Sequence, residues 1–150
     1  NCNDYKSIMD TITNAHEYLL RFSIKPSQQR IAIMNFLIHN RIHPSVEDIY
    51  NALYVSMPTL SKTTVYNTLK LFAEQGALLA LVIDEKNVRF DIDTSNHAHF
   101  QCVECCKVFD VPVKDIGYVE RQEIDEFKVT EVHLYYKGYC KDCQQKKNSN

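Results

Sequence analysis

Apolar residues recur at helical spacing through the first half of the chain and at strand spacing through much of the second. Between residues 4 and 22, Ile8, Ile12, Ala15, Leu19 and Phe22 fall three or four apart, which predicts an amphipathic helix ended by Lys25-Pro26. Ser27 then reads as an N-cap for a helix burying Ile31, Met34, Leu37 and Ile38. A polar hinge over 39–44 ends it, and Ser45 caps a third helix with Val46, Ile49, Tyr50 and Leu53 inward, stopped by Met57-Pro58. Ser61 caps a fourth, running to about Gln75 with Val65, Leu69 and Phe72 inward and Gly76 at its C-terminal end. Two β-prone runs follow, 78–83 and 88–92, joined by the polar turn 84–87.

From His97 the pattern changes. Residues 99–102 and 107–111 predict a hairpin around a tight knuckle, 115 to about 123 a helix weakened by Gly117, and 127–136 a strand rich in Val, Thr, Leu and Tyr. The polar stretch 144–150 predicts a frayed tail. The expected class is α+β, with an N-terminal winged helix-turn-helix and a small C-terminal α/β domain.

In a winged helix, the helix opened by Ser61 enters the major groove with its N-terminal end first. Lys62, Thr63, Thr64, Tyr66 and Asn67 lie on its early turns, off the apolar stripe, and supply groups for phosphate and base-edge contacts. An ordinary solvated helix face has the same composition, so the pattern alone leaves both readings open. Charge narrows the DNA reading. The net charge is −2, with residues 1–80 at +1 and 81–150 at −3, so contact with DNA must rest on a local patch.

At 45% hydrophobic and 24% charged, the 150 residues read as soluble and globular. No apolar run approaches the ~20 residues of a membrane span, and no signal-peptide pattern opens the sequence. The expected location is the cytoplasm, where six cysteines point to metal rather than to disulfides. Cys102-x-x-Cys105 and Cys140-x-x-Cys143 form two knuckles suited to one tetrahedral zinc. The 34 residues between them exceed a zinc-finger interval, so the ion is expected to tie a hairpin to a distant part of the chain. A half of some sixty residues is marginal on its own core. Structural zinc contributes about 10–16 kcal/mol of binding free energy linked to folding. Cys106 stands where a tight turn favours Gly, and it and Cys2 read as bystanders, beside the alternatives of a competing ligand or redox thiol for Cys106.

His97 and His99 project from one face of a strand, and Asp110 on the returning strand comes back toward them. Together with His43 and Asp91 they form a mixed N/O set suited to Fe(II), Mn(II) or Zn(II). Spacing alone leaves open whether the five converge. His16, His39 and His133 read as surface or packing residues.

Taken together, these motifs resemble the ferric uptake regulator (Fur) family of bacterial metal-responsive repressors, most closely its peroxide-sensing (PerR) branch. The resemblance runs through Ser27-Gln28-Gln29-Arg30, the segment from His43-Pro44-Ser45 to Tyr50, and that from Ser61-Lys62-Thr63-Thr64 to Leu69. It continues through Arg89-Phe90-Asp91, His97-x-His99, both cysteine pairs and Tyr136-x-Gly138-x-Cys140. It implies a DNA-binding domain over 1–90, a hinge over 91–96 and a dimerisation and metal-binding domain over 97–150. It also implies structural zinc on Cys102, Cys105, Cys140 and Cys143, and regulatory Fe(II) or Mn(II) on His43, Asp91, His97, His99 and Asp110. Iron-sensing relatives usually carry Glu where Asp110 stands. Cys106 departs from the family's Gly. Val132 stands where many members place a His for an additional metal site, with His133 displaced by one.

The resulting expectation is a homodimeric, non-enzymatic repressor of double-stranded operator DNA. It would sense hydrogen peroxide through iron-catalysed oxidation of His43 or His97. The alternatives are a regulator of the same architecture responding to iron or zinc alone, and a non-haem iron enzyme with His97, His99 and Asp110 as a facial triad.

Overall fold

The computed structural model describes residues 14–113 and 123–148. Contacts divide the chain into two compact units, Asn1–Ser95 and Asn96–Asn150.

The first unit opens with α1 (Ala15–Arg21), α2 (Gln28–His39), α3 (Val46–Tyr54) and α4 (Lys62–Glu74). Each starts at a side-chain cap placed by the local sequence. Ser27 accepts from the Arg30 N–H and Ser61 from the Thr64 N–H. Ser45 and Asp48 cap each other reciprocally. The predicted first helix is shorter than expected at its described end. Asn14 is extended (φ −138°) and accepts from His16 and Glu17 N–H, so α1 begins at Ala15. The rest of that prediction lies outside the described residues.

The helices enclose one core. Leu19, Ile33, Met34, Leu37, Ile49, Val65, Leu69 and Phe72 are fully buried. Burying each large apolar side chain contributes about 1.5–3 kcal/mol. Ile33 replaces Ile31 and Ile38 as the most buried isoleucine of α2, and those two lie partly buried at the margin. Tyr18 donates its hydroxyl to the Ala77 carbonyl at 2.8 Å, tying α1 to the start of the wing, and burial pushes its pKa up to about 12.

The wing is the antiparallel pair β1 (Leu79–Leu81) and β2 (Arg89–Asp91), with Leu79 opposite Asp91. Asp84 braces the turn between them. Its carboxylate accepts from the Lys86 N–H at 2.9 Å and from Arg89 Nε and Nη2 at 3.1 and 2.9 Å. Burial raises its pKa, but the Lys86 N–H and Arg89 outweigh that and hold it below the usual carboxylate value.

The second unit carries a three-stranded sheet in the order β4-β3-β7, from β3 (Ala98–Cys102), β4 (Val108–Val111) and β7 (Tyr135–Gly138). β3 runs antiparallel to β4 and parallel to β7. A small hairpin, β5 (Glu123–Ile124) with β6 (Phe127–Lys128), and a terminal helix α5 (Lys141–Asn148) complete it.

Two expectations for this half change, and a third falls almost wholly outside the described residues. The single strand over 127–136 is two. The Asp125-Glu126 turn, with Asp125 at φ 53°, pairs β6 back on β5, and sheet pairing resumes only where the His99 N–H reaches the Leu134 carbonyl. The frayed tail is helical to Asn148. Gln144 N–H bonds to the Cys140 carbonyl, Gln144 Nε2 to the Tyr139 carbonyl, and Lys147 meets Glu104 at 3.2 Å and the Tyr139 ring at 3.8 Å. The helix predicted over 115–123 lies outside the described residues except for Glu123, which is strand. No helix among the described residues is long and apolar enough to cross a membrane.

Candidate metal centres

The hairpin β3–β4 is pinched shut by the knuckle. Cys102 N–H donates to the Lys107 carbonyl and Cys106 N–H to the Cys102 carbonyl, both at 2.9 Å. This turn places Cys106 at φ 59°, the left-handed region that glycine enters at low cost. Cys106 is exposed, whereas Cys102 is buried in the knuckle.

The second knuckle arrives from the parallel edge of the same sheet. Cys102 is opposite Gly138 in the β3–β7 register, and two residues later the Cys140 N–H points at Cys102 Sγ from 3.3 Å. The first turn of α5 then carries Cys143 inward. All four Sγ atoms lie within 4.8 Å of one another, and Cys105 Sγ to Cys140 Sγ is 3.8 Å. A Zn–S bond of about 2.3 Å gives a tetrahedron whose S···S edges are about 3.8 Å. A disulfide needs about 2.05 Å, and these cysteines are free. The donor set therefore fits zinc.

Local fields favour thiolate at one corner. N–H groups of Cys105 and then Cys140 hold the Cys102 thiol down at about 6. Cys143, sharing hydrogen with Cys140 and buried, is pushed up to about 12. Thiols in such contact resist losing several protons together, and a divalent cation removes that penalty.

The N/O residues form a pair in the first unit and a trio in the second. In the first, His43 precedes the Ser45 cap of α3 and Asp91 ends β2. Arg89 Nη1 donates to the His43 carbonyl at 3.3 Å and Phe90 N–H to the Pro44 carbonyl at 3.0 Å, fastening this loop to the wing. His43 sits at φ 52°, an uncommon conformation for a side-chain-bearing residue. Its Nε2 lies 3.3 Å from Asp91 Oδ2, with the side chains 4% and 8% exposed. Asp91 Oδ1 accepts from the Asp93 N–H at 2.9 Å, which fixes the carboxylate's orientation.

In the second unit, strand register sets the geometry. His99 on β3 lies directly opposite Asp110 on β4, and His97 immediately precedes β3. Both Nε2 atoms face Asp110 Oδ1, at 3.1 Å from His97 and 3.5 Å from His99, with ring centroids 4.4 Å apart. Two imidazoles converging on one carboxylate oxygen form three corners of a site for a divalent cation.

The predicted DNA-facing residues keep their places on α4, though not all equally available. Lys62, Thr63, Tyr66 and Asn67 are exposed, with Tyr66 at 51%. Thr64 is half-buried, and its hydroxyl is hydrogen-bonded to Ser61 Oγ at 2.9 Å.

Some residues were given no site role in the sequence reading. Lys25, ahead of α2, and Arg30, in its first turn, line a groove together with Thr64 and Asn67. Tyr135 packs beside His99, with centroids 6.3 Å apart, and its hydroxyl meets His133 Nδ1 at 3.1 Å. His133 also meets Glu131 at 3.1 Å, so it has more company than expected. Asp84 and Arg89 had a usable signal, being opposite charges bracketing a four-residue turn. The others are brought together by tertiary folding.

A family model for the ferric uptake regulator family matches residues 21–137. The peroxide-responsive repressor PerR of Staphylococcus aureus is 33% identical over 145 residues, covering 95% of this chain and 98% of the relative. Among solved structures, the ferric uptake regulator of Francisella tularensis with iron superposes with a TM-score of 0.67 at 25% identity. That match covers 82% of this chain and 96% of the other. The Pseudomonas aeruginosa regulator with manganese has the same fold, with a TM-score of 0.67 at 24% identity over 85% of this chain and 98% of the other. By sequence and by fold, the chain belongs to the ferric uptake regulator family of metal-responsive regulators.

Proposed function

We propose that the protein is a homodimeric, cytoplasmic repressor of transcription whose affinity for operator DNA is set by a regulatory metal and cancelled by hydrogen peroxide. The observation that carries this reading is the division of N/O ligands between the two units. His43 and Asp91 alone supply two donors, and His97, His99 and Asp110 alone supply three. Neither fills the coordination of Fe(II) or Mn(II), whereas five donors with two carboxylates suit either ion. An ion held by both sets would favour one arrangement of the units over others, which is a population shift driven by differential affinity. In a dimer, that arrangement would set the spacing of two α4 helices for adjacent half-sites. Zinc on Cys102, Cys105, Cys140 and Cys143 has the separate task of holding the second unit together.

The ligand chemistry supports peroxide sensing. Held by His43, Asp91, His97, His99 and Asp110, Fe(II) would supply the electrons that convert hydrogen peroxide into an oxidant beside these ligands. His43 and His97 are the acceptors we assign: one or the other would gain an oxygen, lose basicity at the ring and weaken its hold. Asp110, and the 33% identity to a peroxide-responsive repressor, support this branch of the family. No turnover is expected.

The test is peptide mass spectrometry after brief peroxide exposure of Fe(II)-loaded protein, beside a Mn(II)-loaded control. One added oxygen on His43 or His97 in the iron sample only is expected. Unmodified histidines, together with DNA binding that survives peroxide, would leave a regulator that answers to metal alone.

A further inference from the structure

The first turn of α4 presents a cation, and α3 presents its counter-charge. Lys62 Nζ lies 2.8 Å from Glu47 Oε1 and 2.6 Å from Oε2, and 5.4 Å from the centroid of the Tyr50 ring. Glu47 and Tyr50 are three apart on α3, so they form one face toward the ammonium. Glu47 stands in the first turn of its helix, where the backbone N–H groups favour a carboxylate. The counter-charge is thus favoured by its own helix, and the ammonium rests against it, with the Lys62 and Glu47 side chains 53% and 54% exposed. Lys62 is also the only cation among the five side chains assigned to DNA.

We propose that Glu47 is an affinity-setting residue. In the free protein it holds the Lys62 ammonium against α3, and a DNA phosphate must displace it to gain that cation. The inference rests on the DNA-binding reading of α4. Exchanging a carboxylate for a phosphate leaves Lys62 with no net gain in opposite charge, so the first contact of a single unit with any duplex stays weak. Binding then depends more on the α4 helices of two protomers docking together, the step the regulatory metal would control. Glu47 therefore lowers binding to unselected DNA in particular, where electrostatics supplies nearly all of the affinity.

The experiment compares wild type, Glu47→Gln, Lys62→Gln and the double variant, each full-length and Mn(II)-loaded. Their binding to a fluorescein-labelled, mixed-sequence duplex is followed by anisotropy from about 50 to 200 mM salt. Thermal melting without DNA checks that all four fold. Glu47→Gln is expected to bind roughly threefold more tightly and to steepen the slope of log K against log salt by about 0.9, the signature of one added phosphate contact. Lys62→Gln should bind more weakly than wild type and should erase the gain in the double variant. An equal gain in the Lys62→Gln background would mean that Glu47 acts only as general negative charge, and would overturn the inference. So would no gain at all. Absence of binding by all four proteins would overturn the DNA reading itself, and the inference with it.

Discussion

Three residues adopt conformations or pairings that can be priced individually. Cys106 carries a side chain at φ 59°, where an L-residue costs about 1–2 kcal/mol relative to glycine. Cys106→Gly should therefore raise stability by about 1 kcal/mol in urea unfolding with zinc retained. A loss of stability would show that the thiol contributes more than the strain costs. Ser45 supplies half of a reciprocal cap, and Ser45→Ala should cost about 1 kcal/mol by the same measurement. Asp84 gives the pH dependence. Its folded pKa lies below its unfolded value, so its contribution is present above the unfolded pKa and fades as pH falls through the folded one. Arg89→Leu should flatten the acid limb of the stability curve, and an unchanged limb would rule out the Asp84–Arg89 bridge as its source.

At the scale of elements, α4 and the sheet that carries the four cysteines separate cleanly by experiment. Tyr66→Ala changes an exposed side chain on α4, so it should leave metal content and melting temperature nearly unchanged while weakening DNA binding at least tenfold, or about 1.4 kcal/mol. Cys140→Ser should instead abolish zinc retention and unfold the second unit, read by metal analysis and loss of amide protection over β3 and β7. The cap serines explain why α2, α3 and α4 are legible in sequence: each start is fixed by residues three apart. The strands of the second half are not local in this way. Nothing within 127–136 says that pairing pauses between Lys128 and Tyr135, because the partner of β7 is β3, more than thirty residues earlier. The helix α5 is hidden for a related reason. Its polar sequence has no apolar stripe to read, and its contacts with the knuckle, through Cys143, Lys147 and Tyr139, exist only once the sheet has formed.

At the scale of the whole molecule, the ligand types were legible and their supports were not. Two Cys-x-x-Cys pairs specify a tetrahedral thiolate site wherever they meet, and His97-x-His99 with Asp110 needs only a hairpin in register. His43 is different. Its position depends on a left-handed backbone held by Arg89 and Phe90 from the far side of the wing, and periodicity carries no trace of that. If both halves of the N/O set serve one ion, then His43→Ala and His97→Ala should each weaken Mn(II) binding at least tenfold without releasing zinc. Isothermal titration would show this, and retention of full affinity in either variant would assign the ion to one unit alone.

The zinc site also has a consequence for how this chain tolerates change. Its four sulfurs gather where two neighbouring strands end, Cys102 and Cys105 at the end of β3 and Cys140 and Cys143 just beyond β7, while the chain between the knuckles makes an excursion of 34 residues that supplies none of them. The entropy of closing such an excursion grows only logarithmically, by about 0.6 kcal/mol for each doubling of its length. An ion held by the four cysteines would therefore act as a buckle whose strap length matters little. The exposed Asp125-Glu126 turn becomes a natural port for grafting a tag or a reporter domain, leaving both knuckles to close as before.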